Sequence, residues 1–253
     1  KTDALIKEFI INRINIDSSP LETVFKLNKA SQLILSSTGT EFDIIALVLN
    51  LINPVPEPMI YLEERGGWIR YYSVSIVIDP SISCFDDLSG SHSLQTIQTI
   101  LSSLATLDIQ CFDLIIAGNP NPIIICSDVG TLYALSNKSS LYDSLFSALQ
   151  KPSTNTDLAS AIHTVFDLGR LRSSDYTSVL FVLTNGMYES HERERIIDSV
   201  NMCVQSGIST FGIGIGVYPK GIEKLFPQVV FSPNPSNVMK AVASLYGDNI
   251  SIS

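Results

Sequence analysis

The chain has 253 residues, which allows one large domain or one domain with an appendage. Sixteen Lys and Arg against twenty-five Asp and Glu give a net charge of -9, which argues against a general nucleic-acid or anionic-membrane surface and suits a basic partner or a bound cation. Apolar residues reach 45% and charged ones only 16%, so the chain can bury a large core, and no apolar run is long enough to span a bilayer.

Upstream of residue 58 the apolar spacing predicts two or three helices. Leu5, Ile6, Phe9 and Ile10 form one stripe, Leu21, Val24 and Phe25 a second, and Phe42, Ile45, Ala46 and Leu49 a third. Ser19-Pro20-Leu21-Glu22 supplies a cap, a proline at the first helical position and an acidic first turn. The prolines of Asn53-Pro-Val-Pro-Glu-Pro58 then end any helix. The expected organisation is a helical appendage with a proline-rich linker over 1–58, a linker or edge segment over 59–71, and a large domain over 72–253.

Within 72–253 strand and helix alternate, which predicts an α/β fold: a doubly wound, mostly parallel sheet with helices on both faces. Tyr72–Ile78 reads as a strand, and Leu94, Ile97, Ile100, Leu101 and Leu104 as a helical stripe. Cys111–Ala117 and Ile123–Cys126 are joined by Gly118-Asn-Pro-Asn-Pro122, short enough for a hairpin, so one antiparallel edge strand is expected. Next come a helix on Leu158, Ala161, Ile162, Val165 and Phe166, a strand Ser178–Leu183, a helix on Ile196, Ile197, Val200 and Cys203, and a strand Ile208–Ile215. Val229–Phe231 and a helix over Asn237–Tyr246 close the series. Cys84, Cys111, Cys126 and Cys203 show no Cys-x-x-Cys spacing and read as reduced thiols.

Ligands of such sheets sit at the carboxyl ends of strands. Asp79-Pro80-Ser81-Ile82-Ser83 follows the first strand, Ser153-Thr154-Asn155-Thr156-Asp157 precedes a helix, and Thr184-Asn185-Gly186 follows the central strand. All three loops offer oxygen and neither nitrogen nor sulfur ligands, a set suited to a hard cation such as Mg²⁺. Each group also has an ordinary structural role open to it: Asp79 capping a turn, Ser81 and Ser83 bonding local backbone, Thr154 or Thr156 capping the helix.

These loops, in this order on these elements, make Tyr72 to about Tyr246 resemble a von Willebrand factor A domain. Asp79-x-Ser81-x-Ser83 is similar to that family's first metal-site motif, Thr154 stands where its site threonine does, Leu183-Thr-Asn-Gly186 occupies the place of its Thr-Asp-Gly, and Gly207–Gly214 resembles its penultimate strand. The resemblance implies a metal-ion-dependent adhesion site in which Asp79, Ser81, Ser83, Thr154 and Asn185 surround Mg²⁺ or Mn²⁺. It further implies a non-enzymatic module that captures an Asp or Glu side chain of a partner protein through the ion, as part of a larger intracellular or surface protein. Asn185 departs from the family's Asp and removes one negative charge, so a second version keeps the fold, loses the metal and binds by a dry surface. A weaker resemblance joins Glu189–Arg195 to the adhesion-site domain of the midasin family, and the plainer reading of that run is a solvated helix entrance. Asp86, Asp87, Asn155 and Asp157 are expected to ring the site.

From a different class, a metal-dependent hydrolase or phosphotransfer enzyme would need a general base near Asp79, and only Asp157 is at hand. Gly212-Ile-Gly-Ile-Gly216 lies in a late strand and so does not open a dinucleotide site; its glycines read as close-packing or turn residues. His92, His163 and His191 show no zinc spacing and receive no role.

Overall fold

The computed structural model describes residues 32–36, 41–42, 47, 50–51, 54, 56, 61–65, 71–85, 90–105, 107, 109–136, 138–149, 156–172, 176–216, 221–231 and 234–250. The chain divides into two compact units, one within Leu27–Arg70 and the other containing Tyr71–Ser253.

The first unit departs from the helical appendage expected over 1–58, and its third strand falls in the 59–71 stretch expected to be a linker or edge segment. Its strands β1 (Gln32–Ser36), β2 (Glu41–Phe42) and β3 (Tyr61–Arg65) form an antiparallel sheet in the order β1-β3-β2. Phe42, assigned above to a helical stripe, lies in β2, whereas Leu47, Asn50 and Leu51 are helical. A two-residue strand carries no period, and its pairing with β3 decides the conformation. The stripes at Leu5–Ile10 and Leu21–Phe25 lie outside the described residues.

The second unit is the doubly wound sheet. Its order is β6-β5-β4-β7-β8-β9, from β4 (Tyr71–Ile78), β5 (Cys111–Ile116), β6 (Ile123–Val129), β7 (Tyr176–Thr184), β8 (Ser209–Gly214) and β9 (Gln228–Val230). Every pairing is parallel except β5 with β6, the antiparallel edge expected of the short hairpin. At the hairpin, a Cβ on Gly118 would stand 2.1 Å from the Asn121 carbonyl oxygen, so only glycine fits. The helices are α1 (Gly90–Leu104), α2 (Thr131–Ser136), α3 (Lys138–Leu149), α4 (Leu158–Arg170), α5 (Ser190–Gln205) and α6 (Val238–Ile250). Sequence reading missed α2 and α3.

From β4 the chain crosses to β5 on one side and later to β7 on the other. Right-handed crossovers in opposite directions put α1 on one face of the sheet and α4 and α5 on the other. On the latter face Val77, Ile115, Leu180 and Val182 pack with Ala161, Ile162 and Val165 of α4 and with Ile196, Val200 and Cys203 of α5. The alternate residues Val74, Ile76 and Ile78 are equally buried and, by the period of a strand, point to the face of α1. Both faces of β4 are therefore dry, and the reversal of winding leaves a crevice at its carboxyl end. A Cβ on Gly212 would meet the Phe226 ring at 2.5 Å, while Gly216 has φ 93°, in keeping with packing and turn roles for these glycines. Among the described residues all four cysteines are free, and no helix is long and apolar enough to cross a membrane.

Candidate functional site

Asp79 follows the last residue of β4 and is fully buried. Its backbone N–H donates to the Leu183 carbonyl at 2.9 Å, and the Ile78 carbonyl accepts from Ala117 at 2.9 Å, so the crevice between β5 and β7 holds it from both sides. A buried carboxylate requires donors. Oδ1 accepts from the Ser81 N–H and the Thr156 hydroxyl, both at 3.0 Å, and Oδ2 accepts from the Thr184 hydroxyl at 2.9 Å and the Tyr188 hydroxyl at 2.5 Å. The Cys84 thiol adds a weak contact at 3.8 Å.

Around this centre, Ser81 and Ser83 lie on the turn that follows β4, with their Oγ atoms 3.3 Å apart. Asn185 closes the group from the end of β7. Its Oδ1 accepts from the Met187 N–H at 3.0 Å, and its Nδ2 donates to Ser83 Oγ at 2.6 Å. Asp79, Ser81, Ser83 and Asn185 are thus brought together. Thr154 lies outside the described residues, and Thr156, two positions nearer α4, is the threonine seen on Asp79. The cap of α4 is Asp157, which accepts from the Ser160 N–H at 3.0 Å. Asp157 also pairs with Arg195 at 2.8 Å, so its charge is met locally and adds little to a field over the site. Asp86, Asp87 and Asn155 lie outside the described residues. The run from Glu189 forms a capping box with Glu192 at the start of α5, the helix entrance expected of it.

Tyr188 is the participant that sequence reading missed, since nothing in the spacing of a lone tyrosine after a Gly-Met pair points inward. Burial first, and then the charge of Asp79, push its phenol well above the ordinary value. It therefore remains protonated and continues to donate. A phenol whose pKa is raised by folding stabilises fully below its unfolded value near 10 and loses that contribution as pH rises beyond it. In a phenolate absorbance titration the Tyr188→Phe variant is expected to lose one late-titrating group, with a stability loss of about 1.5–3 kcal/mol for one hydrogen bond to a charged acceptor.

The same geometry bears on catalysis. Both Asp79 oxygens are committed to donors. The Cys84 thiol is held well above its ordinary value, by burial first and by the charge of Asp79 second, and so is a poor nucleophile. Of the histidines, His163 pairs with Asp167 and His191 with Glu189, both on helix surfaces. Beside the site a cavity of about 400 Å³ is walled by Thr156, Tyr188, Glu189, Glu192 and Arg195. Ile82 and Met187, on the two loops that carry Ser83 and Asn185, are 47% and 60% exposed.

No family model and no curated protein matches the sequence. Solved structures do match. The TFIIH p34 N-terminal domain aligns with a TM-score of 0.55 at 8% identity, over 69% of this chain and 97% of that one. The manganese-loaded TRAP protein of Plasmodium vivax aligns at 0.50 with 14% identity, over 70% and 73%. The pilus adhesin SpaC of Lactobacillus rhamnosus GG, in its open conformation, aligns at 0.50 with 10% identity, over 72% of this chain but only 30% of SpaC. This chain has the von Willebrand factor A fold. Within that fold the strand-end oxygens are the place for a divalent ion, so the donor set has to be tested against one. A divalent ion favours carboxylate charge and free oxygen lone pairs. Here one carboxylate stands in the group with two donors on each oxygen, and position 185 turns an N–H₂ toward Ser83. As arranged, the described part of the set, Asp79, Ser81, Ser83 and Asn185, does not fit the ion. Among the described residues no cluster of three or more His, Cys, Asp or Glu side chains is placed to hold a metal either.

Proposed function

We propose that this von Willebrand A-type domain is a non-enzymatic protein-interaction module that binds its partner at the strand-end rim. The observation that carries the reading is the pairing of a spent carboxylate with an open rim. Asp79 is buried and fully bonded, which suits a structural centre, while Ile82, Ser83 and Met187 stand exposed on the loops that it fixes. Exposed apolar side chains beside hydroxyls on rigidly held loops provide the contact area and polar fit of a small interface. SpaC, a pilus adhesin, has the same fold and supports an adhesive or assembly role. In the metal-bridged form of this function, Mg²⁺ or Mn²⁺ would link Ser81, Ser83 and Thr154 to a partner's Asp or Glu. The three residues Asp79, Ser81 and Ser83 support that form, and Asn185 stands against it.

The test is affinity capture from the native source with wild type, Met187→Glu, Ile82→Glu and Leu171→Glu, each with and without chelator. Leu171 is 84% exposed at the far end of α4 and serves as the control. Partners retained by Leu171→Glu and by chelated wild type, but lost with either rim variant, are the expected result. Loss on chelation alone would favour the metal-bridged form, and capture indifferent to the rim variants would overturn the proposal.

A further inference from the structure

We infer that Asn185 is an internal substitute for a cation, so that the rim of this domain is held by a side-chain amide and becomes a divalent-ion site only when residue 185 carries a carboxylate. The inference rests on the rim being the functional surface but is tested without any partner. The orientation of the amide is set by its neighbours. The Met187 N–H has only a proton to offer, so the atom 3.0 Å from it is the Asn185 oxygen, and the nitrogen then faces Ser83 at 2.6 Å. That N–H₂ presents positive charge to the Ser83 oxygen, as a cation would, and occupies one of its two lone pairs. Ser83 in turn stands within 3.3 Å of Ser81, whose own N–H is tied to Asp79. The amide therefore closes a chain running from the end of β7 to the turn after β4. In a metal-held rim the same link would pass through an ion.

A carboxylate at 185 reverses the balance. One oxygen would still accept from the Met187 N–H, and the other would meet the Ser83 hydroxyl, which can turn to donate. Two carboxylates would then share one small site next to hydroxyl oxygens, an arrangement that repels itself and is relieved by a divalent ion. The experiment is Mn²⁺ titration by calorimetry, with thermal unfolding in Mg²⁺ and Mn²⁺, on the intact 253-residue chain. Wild type is expected to show no saturable site and an unchanged Tm. Asn185→Asp is expected to unfold earlier than wild type without metal, to bind one Mn²⁺ saturably where wild type shows no saturation, and to recover Tm with the ion. Adding Ser83→Ala to that variant should remove the site. Saturable Mn²⁺ binding by wild type that Ser83→Ala abolishes overturns the inference, and needs no variant at 185 to fold. A folded Asn185→Asp that binds no ion overturns it equally. Neither result depends on whether the rim captures a partner.

Discussion

Replacing Arg172 by leucine is expected to cost about 3–5 kcal/mol of folding free energy, far from the rim. Arg172 lies just past α4, at the amino-terminal end of the strands, and its side chain is only 8% exposed. Its Nη2 donates to both oxygens of Asp113, at 2.7 and 2.8 Å, and its Nη1 donates to the Ser73 hydroxyl at 2.5 Å. Asp113, in β5, is fully buried and also accepts from Ser75 and Ser127 hydroxyls and the Asp128 N–H. Burial, the largest influence on this carboxyl, pushes its pKa up, but the bonds from Arg172 and Ser75 and the guanidinium charge outweigh it and hold the group below its ordinary value. A depressed folded value contributes stability above the unfolded value near 3.8, lost as pH falls through the folded one. In Arg172→Leu the two Arg172 contributions are gone and only the bonds from Ser75, Ser127 and the Asp128 N–H oppose burial, the largest influence, so the folded value is expected to rise above the unfolded one and the sign to invert. Stability should then fall as pH climbs above about 4, where the wild-type contribution of Asp113 is already almost fully present and stays level. Urea midpoints for both proteins at about pH 4 and pH 7, at unchanged slope, measure this, and parallel pH profiles would refute it. Arg172→Leu combined with Asp113→Leu should recover part of the loss, because no charge is then left stranded.

That charge pair shows where sequence reading stops. Asp113 lies inside the apolar run Cys111–Ala117, and Arg172 is one of sixteen basic residues, so no spacing links them. The sheet itself was legible because β4, β5, β7 and β8 are long apolar runs separated by helical stripes, and the Gly118–Pro122 turn marked the one antiparallel pair. The pair α2 and α3 was overlooked although Leu141, Leu145, Phe146 and Leu149 recur at helical spacing and are buried. The serines and asparagine of Ser136–Ser140 favour turns and obscured the start of α3. In the first unit, β1 and β3 are five residues each and are stabilised by each other's edge, information that no local window contains.

At the site the sequence located Asp79, Ser81, Ser83 and Asn185, because a strand end and a two-residue period suffice to bring them to one place. It did not reveal which way the Asn185 amide faces, since the Met187 N–H decides that. Nor could spacing show that Thr156 donates to Asp79, because Asp157, which caps α4, fixes where Thr156 stands.

Removing the Asp79 carboxylate is expected to be the most damaging change at the rim. In Asp79→Ala four donors lose their acceptor together, and each that finds no water costs about 1–3 kcal/mol, so a total on the order of 4 kcal/mol follows even with partial hydration. Thr184 has some relief, since its oxygen lies 2.7 Å from the Tyr188 hydroxyl and already accepts from the Gly186 N–H. The Ser81 N–H has none, because it cannot turn. Asp79→Asn separates charge from shape. Its oxygen can face the Ser81 N–H and Thr156, leaving its N–H₂ toward Thr184 and Tyr188, hydroxyls that can rotate to accept. The cost should therefore drop to about half that of alanine. Equal losses for Asn and Ala in denaturant unfolding would mean that the negative charge itself holds the rim together. Losses below about 1 kcal/mol in both would mean that Asp79 is not the structural centre assigned to it.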